Sequence, residues 1–265
     1  MTKIHPTAIV DTGARIHHDV QVGPHVVIED DVDIDAGTVV MAGSFIARGT
    51  RIGKNNRIHM GAVIGHEPQD LAFHSDIHSY VHIGDSNEIR EYVTIHKGTK
   101  EGSSTHIGNN CFLMGASHVA HNCQIGNHVI LANGVLLAGY VDVGEHAFIS
   151  GMVAVHQFVR IGAFVILSGH SAVNKDIPPF MLAGGRPCAV SAVNLVALRR
   201  GDFSPERIED IKKDFKILFK SELNKSQAIE KLSKEPPNEH RNLLLDFLEK
   251  SERGLCIASG LKDRA

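Results

Sequence analysis

Aliphatic residues recur at every sixth position along most of the chain. From Ile4 the steps land on Val10, Ile16, Val22, Ile28, Ile34, Val40, Ile46, Ile52, Ile58 and Ile64. From Ile107 they land on Leu113, Val119, Ile125, Leu131, Leu137, Val143, Ile149, Val155, Ile161, Leu167 and Val173, and a short middle block repeats at Ile83, Ile89 and Ile95. The next residue is often glycine, as at Gly108 and Gly126, and the fourth after the aliphatic is small or β-branched, as at Ala8, Val20, Val129 and Val135. This period is neither the 3.6 of a helix nor the two of a plain strand. It predicts a short strand plus a corner. Three such six-residue sides close a triangular coil of 18 residues. Coils stack at the strand spacing of ~4.8 Å, so residues one coil apart fall into columns.

The pattern resembles the hexapeptide-repeat left-handed β-helix, and the handedness is implied by that resemblance. The predicted fold class is mostly β: a left-handed parallel β-helix over 1–190, then a small α-helical C-terminal domain over 191–265. Two stretches break the period, GHEPQDLAFHSDIHSYVH at 65–82 and HKGTKEGSSTH at 96–106. A solenoid carries such insertions as loops on one face, often the binding face. The repeat ends near Val173, and NKDIPPFMLAGGRPCAV, with its Pro-Pro and Gly-Gly pairs, predicts irregular chain. A helical period follows. Ser204-Pro205-Glu206 marks a helix start, and Ile208, Ile211, Phe215, Leu218 and Phe219 form one apolar stripe. Ser226 is the expected cap of a second helix, and Leu243, Leu244, Phe247 and Leu248 mark a third. The tail ASGLKDRA is expected to be mobile.

Composition narrows the picture. Trp is absent while Gly reaches 25, which suits a core of stacked aliphatics rather than aromatics. A net charge of −3 gives no electrostatic case for nucleic acid. No run of about 18 apolar residues predicts a membrane span, and MTKIHPTAIV lacks the pattern of a signal peptide. Four scattered cysteines predict reduced thiols in a cytoplasmic protein.

Chemistry is suggested by MGASHVAHNC at 114–123, with His118 and His121 between Cys111 and Cys123. Two imidazoles three apart in an extended coil do not converge on a metal as they would four apart on a helix. Both cysteines occupy the inward fourth position and are expected in the core. Column arithmetic places His121, Gly139 and Gln157 in line, with His156 beside Gln157. A histidine one coil from an approachable glycine amide supplies a base and an oxyanion donor, the pair that acyl transfer needs.

Six segments then carry a specific resemblance: IGHEPQDL (64–71), REYVTIHKGT (90–99), SHVAHNC (117–123), ILANGVLLAGYV (130–141), ISGMVAVHQF (149–158) and NLVALRRGDFS (194–204). In this order, with both interruptions, the chain resembles the bacterial UDP-N-acetylglucosamine O-acyltransferases that begin lipid A synthesis, from IHPTAIV nearly to its C-terminus. The resemblance implies a homotrimer with sites between adjacent prisms. It implies a 3-hydroxyacyl thioester donor on acyl carrier protein and the glucosamine 3-hydroxyl of a UDP-sugar as acceptor. No metal, no cofactor beyond the donor's phosphopantetheine thioester and no covalent acyl-enzyme are implied. His121 would be the general base and Gly139 the oxyanion donor. His118, His156 and Gln157 would position substrate, Gln69 and Asp70 would touch the sugar, and Asn194 and Arg200 would hold the nucleotide. Gly169, with His170 beside it, would set acyl length.

Several positions depart from that pattern. Ala72 stands where the family often has lysine, Asn122 where it has aspartate after the catalytic histidine, and Tyr140 where it has histidine. Val196 replaces a glutamate, and Gly201 the second arginine of a KRRG run. Loss of the lysine at 72 motivates an alternative acceptor, a 3-amino UDP-sugar, giving N-acylation. A trimeric zinc hydrolase of the γ-carbonic anhydrase type and a non-catalytic scaffold are the competing classes. Lys212, Lys213, Lys216 and Lys220 offer a basic face for acidic carrier protein, or simply a solvated helix face.

Overall fold

The structure, a computed structural model, describes residues 3–257; the tail ASGLKDRA lies outside them. Two-residue strands end on the periodic aliphatics, from Lys3–Ile4 to Ala172–Val173, and each such strand sends its second residue inward. They build three parallel faces of a left-handed β-helix. Among the described residues the first face holds 11 strands, the second 9 and the third 8. Ile4 pairs with Val22, Val22 with Val40 and Val40 with Ile58, one coil per step. The inward column is wholly buried through most of the prism, as at Ile46, Ile58, Leu113, Leu131 and Leu137. Each such side chain contributes roughly 1.5–3 kcal/mol by leaving water.

The interruptions lengthen two coils without disturbing the stack. Ile52 pairs with Ile83 across the first, and Ile83 with Ile107 across the second. The strands Val63–His66 and Tyr80–Ile83 reach into the first interruption from its two ends, and Thr94–His96 and Ser104–Ile107, which pair with them in turn, into the second. Both interruptions leave the prism at the corner between its second and third faces.

The stretch after Val173 is not irregular, contrary to its prolines. Met181–Gly184 joins the first face, pairing Leu182 with Ile166, and turns back as an antiparallel strand, Ala189–Val193. The exposed edge at Ile166–Leu167 has backbone groups to satisfy, and this segment supplies the partners. Four helices follow: α1 (Leu195–Arg200), α2 (Pro205–Phe219), α3 (Lys225–Ser233) and α4 (Glu239–Glu249). Ser204 caps α2 by accepting from the Arg207 N–H. Ser226 does not cap α3; Asn224 does, in a reciprocal capping box with Gln227. Phe219 and Cys256 share the prism's own core, so the helical segment closes the end of the stack. No helix among the described residues is long and apolar enough to cross a membrane.

Candidate active site

The corner between the second and third faces carries, in successive coils, both interruptions, then His121–Asn122, Gly139–Tyr140 and Gln157–Phe158. The Tyr140 N–H donates to the His121 carbonyl at 3.0 Å, and the Phe158 N–H to the Gly139 carbonyl at 3.1 Å. The column is therefore continuous. Its closest approach is between His121 and Gly139. A Cβ at 139 would lie 2.2 Å from His121 Cε1 and 2.5 Å from Nε2, so the ring rests against the glycine backbone and any side chain there would displace it. Among the described residues, nothing in the chain accepts the Gly139 N–H.

The other ring nitrogen is anchored. His121 Nδ1 lies 3.1 Å from Asn122 Oδ1. The same oxygen accepts from the Thr99 N–H at 3.1 Å and from the Thr99 hydroxyl at 3.0 Å. A backbone N–H can only donate, so the Asn122 atom is its oxygen and His121 Nδ1 is the donor. Nε2 keeps its lone pair, on the side facing Gly139. Asn122 thus orients the imidazole although it lacks the charge of an aspartate. Its own φ of +62° is the left-handed corner conformation, which asparagine tolerates well. Tyr140 sets its ring edge-on to His121 at 5.3 Å and stacks on Phe158 at 5.0 Å, while its hydroxyl lies 3.1 Å from Thr99 Oγ1.

Three residues away on the second face, His118 Nδ1 lies 2.6 Å from Thr94 Oγ1. His96 packs edge-on against His118 at 4.9 Å. His96 is 6% exposed, and its Nδ1 has no hydrogen-bond partner among the described residues. Burial, and then the neighbouring His118, push His96 down to about 4. Burial lowers His118 too, with His121 the second cause. These flanking imidazoles therefore stay neutral near pH 7.

The remaining expected residues divide among the corners. Gln69 and Asp70 are exposed in the first interruption, two coils before His121, where Asp70 Oδ1 accepts the Ala72 N–H at 2.9 Å. Lys97 of the second interruption is buried and sets its ammonium over Phe73 of the first, at 5.5 Å. His156 is exposed beside Gln157, its Nδ1 3.1 Å from the Gln157 carbonyl oxygen. Gly169 and His170 lie on the corner between the first and second faces. A Cβ at 169 would meet nothing nearer than the Gly151 oxygen at 3.3 Å, so the coil itself makes only a mild demand for glycine there.

Asn194 and Arg200 lie elsewhere again. With Val196 and Gly201 they line a cavity of about 330 Å³ against His128, His146 and Phe164 at the corner between the third and first faces. Asn194 is spent on the fold: its oxygen caps α1 through the Ala197 N–H, and its amide donates to the Phe164 carbonyl. Arg200 is exposed. One prism thus gathers His121, Gly139, Gln157 and His118 with both interruptions, and holds Gly169 and His170, and Asn194 and Arg200, on its two other corners.

Sequence reading missed His96, Thr94 and Thr99 as parts of this site. A count of 24 residues across the second interruption, which pairs Thr94 with His118, would have found them. Cys111 and Cys123 are core thiols, donating to the Gly126 and Ala138 carbonyls, and burial pushes Cys123 up to about 12. No group of three or more His, Cys, Asp or Glu side chains among the described residues is placed to hold a metal.

Comparison with known proteins places this geometry. Residues 176–256 match a family model described as UDP-N-acetylglucosamine O-acyltransferase, domain 2, and residues 104–139 match the bacterial transferase hexapeptide repeat. An acyl-[acyl-carrier-protein]–UDP-N-acetylglucosamine O-acyltransferase from Psychrobacter sp. is 48% identical, covering 96% of this chain and 99% of its own. One from Thermodesulfovibrio yellowstonii is 43% identical over 97% of this chain and 100% of its own. Among solved structures, the UDP-N-acetylglucosamine acyltransferase from Bacteroides fragilis superposes with a TM-score of 0.92 at 42% identity, covering 95% of this chain and 99% of that one.

Proposed function

Because this chain belongs to the acyl-[acyl-carrier-protein]–UDP-N-acetylglucosamine O-acyltransferases, we propose that it moves a 3-hydroxyacyl chain from acyl carrier protein to the glucosamine 3-hydroxyl of UDP-N-acetylglucosamine, with His121 as base. One observation carries the reading: the His121 ring, fixed at Nδ1, lies against a glycine whose N–H no group among the described residues accepts.

His121 Nε2 removes the 3-hydroxyl proton as that oxygen attacks the thioester carbonyl. The carbonyl oxygen becomes an oxyanion and accepts from the Gly139 N–H. Collapse expels the phosphopantetheine thiolate, which recovers the proton from the His121 imidazolium. A positioned base is worth 10²–10⁴-fold in general, and one oxyanion donor about 10²–10³-fold. No metal, cofactor or acyl-enzyme enters.

His118, His156 and Gln157 flank the reacting centre and position substrate, with Gln69 and Asp70 toward the sugar. Arg200 holds the nucleotide phosphates; Asn194 serves by building the cradle as the cap of α1. Gly169 and His170 limit acyl length. Since these positions occupy three different corners, a complete site draws on neighbouring copies, as a homotrimer of parallel prisms supplies. Carrier protein approaches such a site from outside. Lys212 and Lys213 of α2 are already paired with Glu209 and Asp210, which weakens the helix face as its dock.

The relatives are named O-acyltransferases, which favours a hydroxyl acceptor over the 3-amino alternative. Mass spectrometry of the product from mixed 3-hydroxyacyl carrier proteins tests this. The expected product is UDP-N-acetylglucosamine heavier by one acyl chain and labile to mild base, as an ester is. Turnover of only the 3-amino analogue, or none of either sugar, would overturn the reading.

A further inference from the structure

Thr99 lies off the repeat column, Tyr140 follows Asn122 in it by one coil, and neither has a role described above for substrate, yet they meet directly behind the base. They are 41 residues apart in sequence. Thr99 sits in the second interruption and reaches back to the corner with both of its donors, N–H and O–H, on Asn122 Oδ1. A threonine hydroxyl has a single proton. With that proton on Asn122, the 3.1 Å contact between Thr99 Oγ1 and the Tyr140 hydroxyl requires the phenol to donate. The Tyr140 ring cannot swing freely, because it is held between the edge contact with His121 and the stack on Phe158. Asn122 is likewise tied at its backbone, where its N–H donates to Thr105 Oγ1 at 2.7 Å.

We propose that Tyr140 and Thr99 are positioning residues, forming with Asn122 an uncharged hydrogen-bond chain that fixes the ring of His121 and latches the 97–103 segment to the catalytic corner. The inference rests on His121 being the base. The phenol holds the threonine, the threonine holds the carboxamide oxygen, and that oxygen holds Nδ1. Every polar atom in the chain has its proton assigned without a carboxylate. This accounts together for Asn122 and Tyr140, two of the positions that depart from the family pattern. It also makes the interruption part of the catalytic apparatus: release of Thr99 would leave Asn122 free to rotate and the imidazole free to tilt off Gly139.

Steady-state kinetics of the intact protein with 3-hydroxyacyl carrier protein and UDP-N-acetylglucosamine test it. Thr99→Val keeps the backbone donor and loses the hydroxyl; kcat should fall about tenfold with both KM values unchanged within about twofold. Thr99→Ser should restore most of the rate. Tyr140→Phe keeps the ring and should lose about fivefold in kcat. The double variant Thr99→Val/Tyr140→Phe should be no worse than Thr99→Val alone, because one chain is broken once. Wild-type kcat in both single variants, a loss confined to KM, or losses that multiply in the double variant would overturn the proposal. His121→Ala run alongside separates the two readings. If it is inactive while Thr99→Val is unaffected, only the chain falls. If it retains activity, the base assignment itself falls.

Discussion

His121→Ala should lose about 10²–10⁴-fold in kcat, roughly 3–5 kcal/mol of barrier, while the protein keeps its fold and assembly. The size follows from the role: without an acceptor at Nε2, the sugar hydroxyl must attack still carrying its proton. The fold should survive because His121 contributes nothing to the inward ladder. Val119 and Cys123, on either side of it, are wholly buried and supply core side chains of that coil. Asn122 Oδ1 would keep both bonds from Thr99, so no buried acceptor is orphaned. Initial rates with thermal unfolding check both halves. A near-normal rate in a folded variant refutes the base assignment, and a large drop in melting temperature makes the residue structural instead.

Gly139→Ala is the second large effect. The added methyl would sit 2.2 Å from His121 Cε1, far inside contact distance, so the ring must leave its place over the backbone. The backbone at 139 is not in the left-handed region, so alanine itself is compatible with the coil. The cost should therefore fall on catalysis: about 10²–10³-fold in kcat, from a displaced base and a covered oxyanion donor. Stability should change by no more than about 1–2 kcal/mol. Rate and denaturant midpoint measured on one sample separate the two. Undiminished turnover would mean that the base and donor are not this pair.

Most of this corner could be read from the chain alone. An aliphatic every six residues leaves one way to bury the ladder, and the columns then follow by counting. That is why His121 over Gly139 was accessible before any coordinates. Counting fails where the coil lengthens. Thr99 and His96 lie on a coil six residues longer than the 18-residue unit, so fixed-period arithmetic slides past their partners. Local chemistry misled in other ways. Pro178 and Pro179 read as a break, yet Met181–Gly184 continues the first face because the sheet edge needed a partner. Ser226 looked like a cap, but Asn224 has Gln227 three residues on and wins through the reciprocal bond. Asn122 looked deficient because only its missing charge was visible; its orienting bond depends on Thr99, which a pattern of periods does not bring near.

The division of the site among corners has a further consequence. His121 stands on one edge of the prism, and the Arg200 cavity lies along another, so the proposed function has them meet between copies. That the His121 corner of one copy works with the Arg200 cradle of a second is tested most directly by subunit mixing. His121→Ala and Arg200→Ala chains are prepared separately, each impaired alone, then dissociated together and reassembled in equal amounts. Random reassembly into trimers with sites between neighbours should restore about a quarter of wild-type activity, since half the copies carry each intact element. Activity no higher than that of the two parents would contradict the shared site.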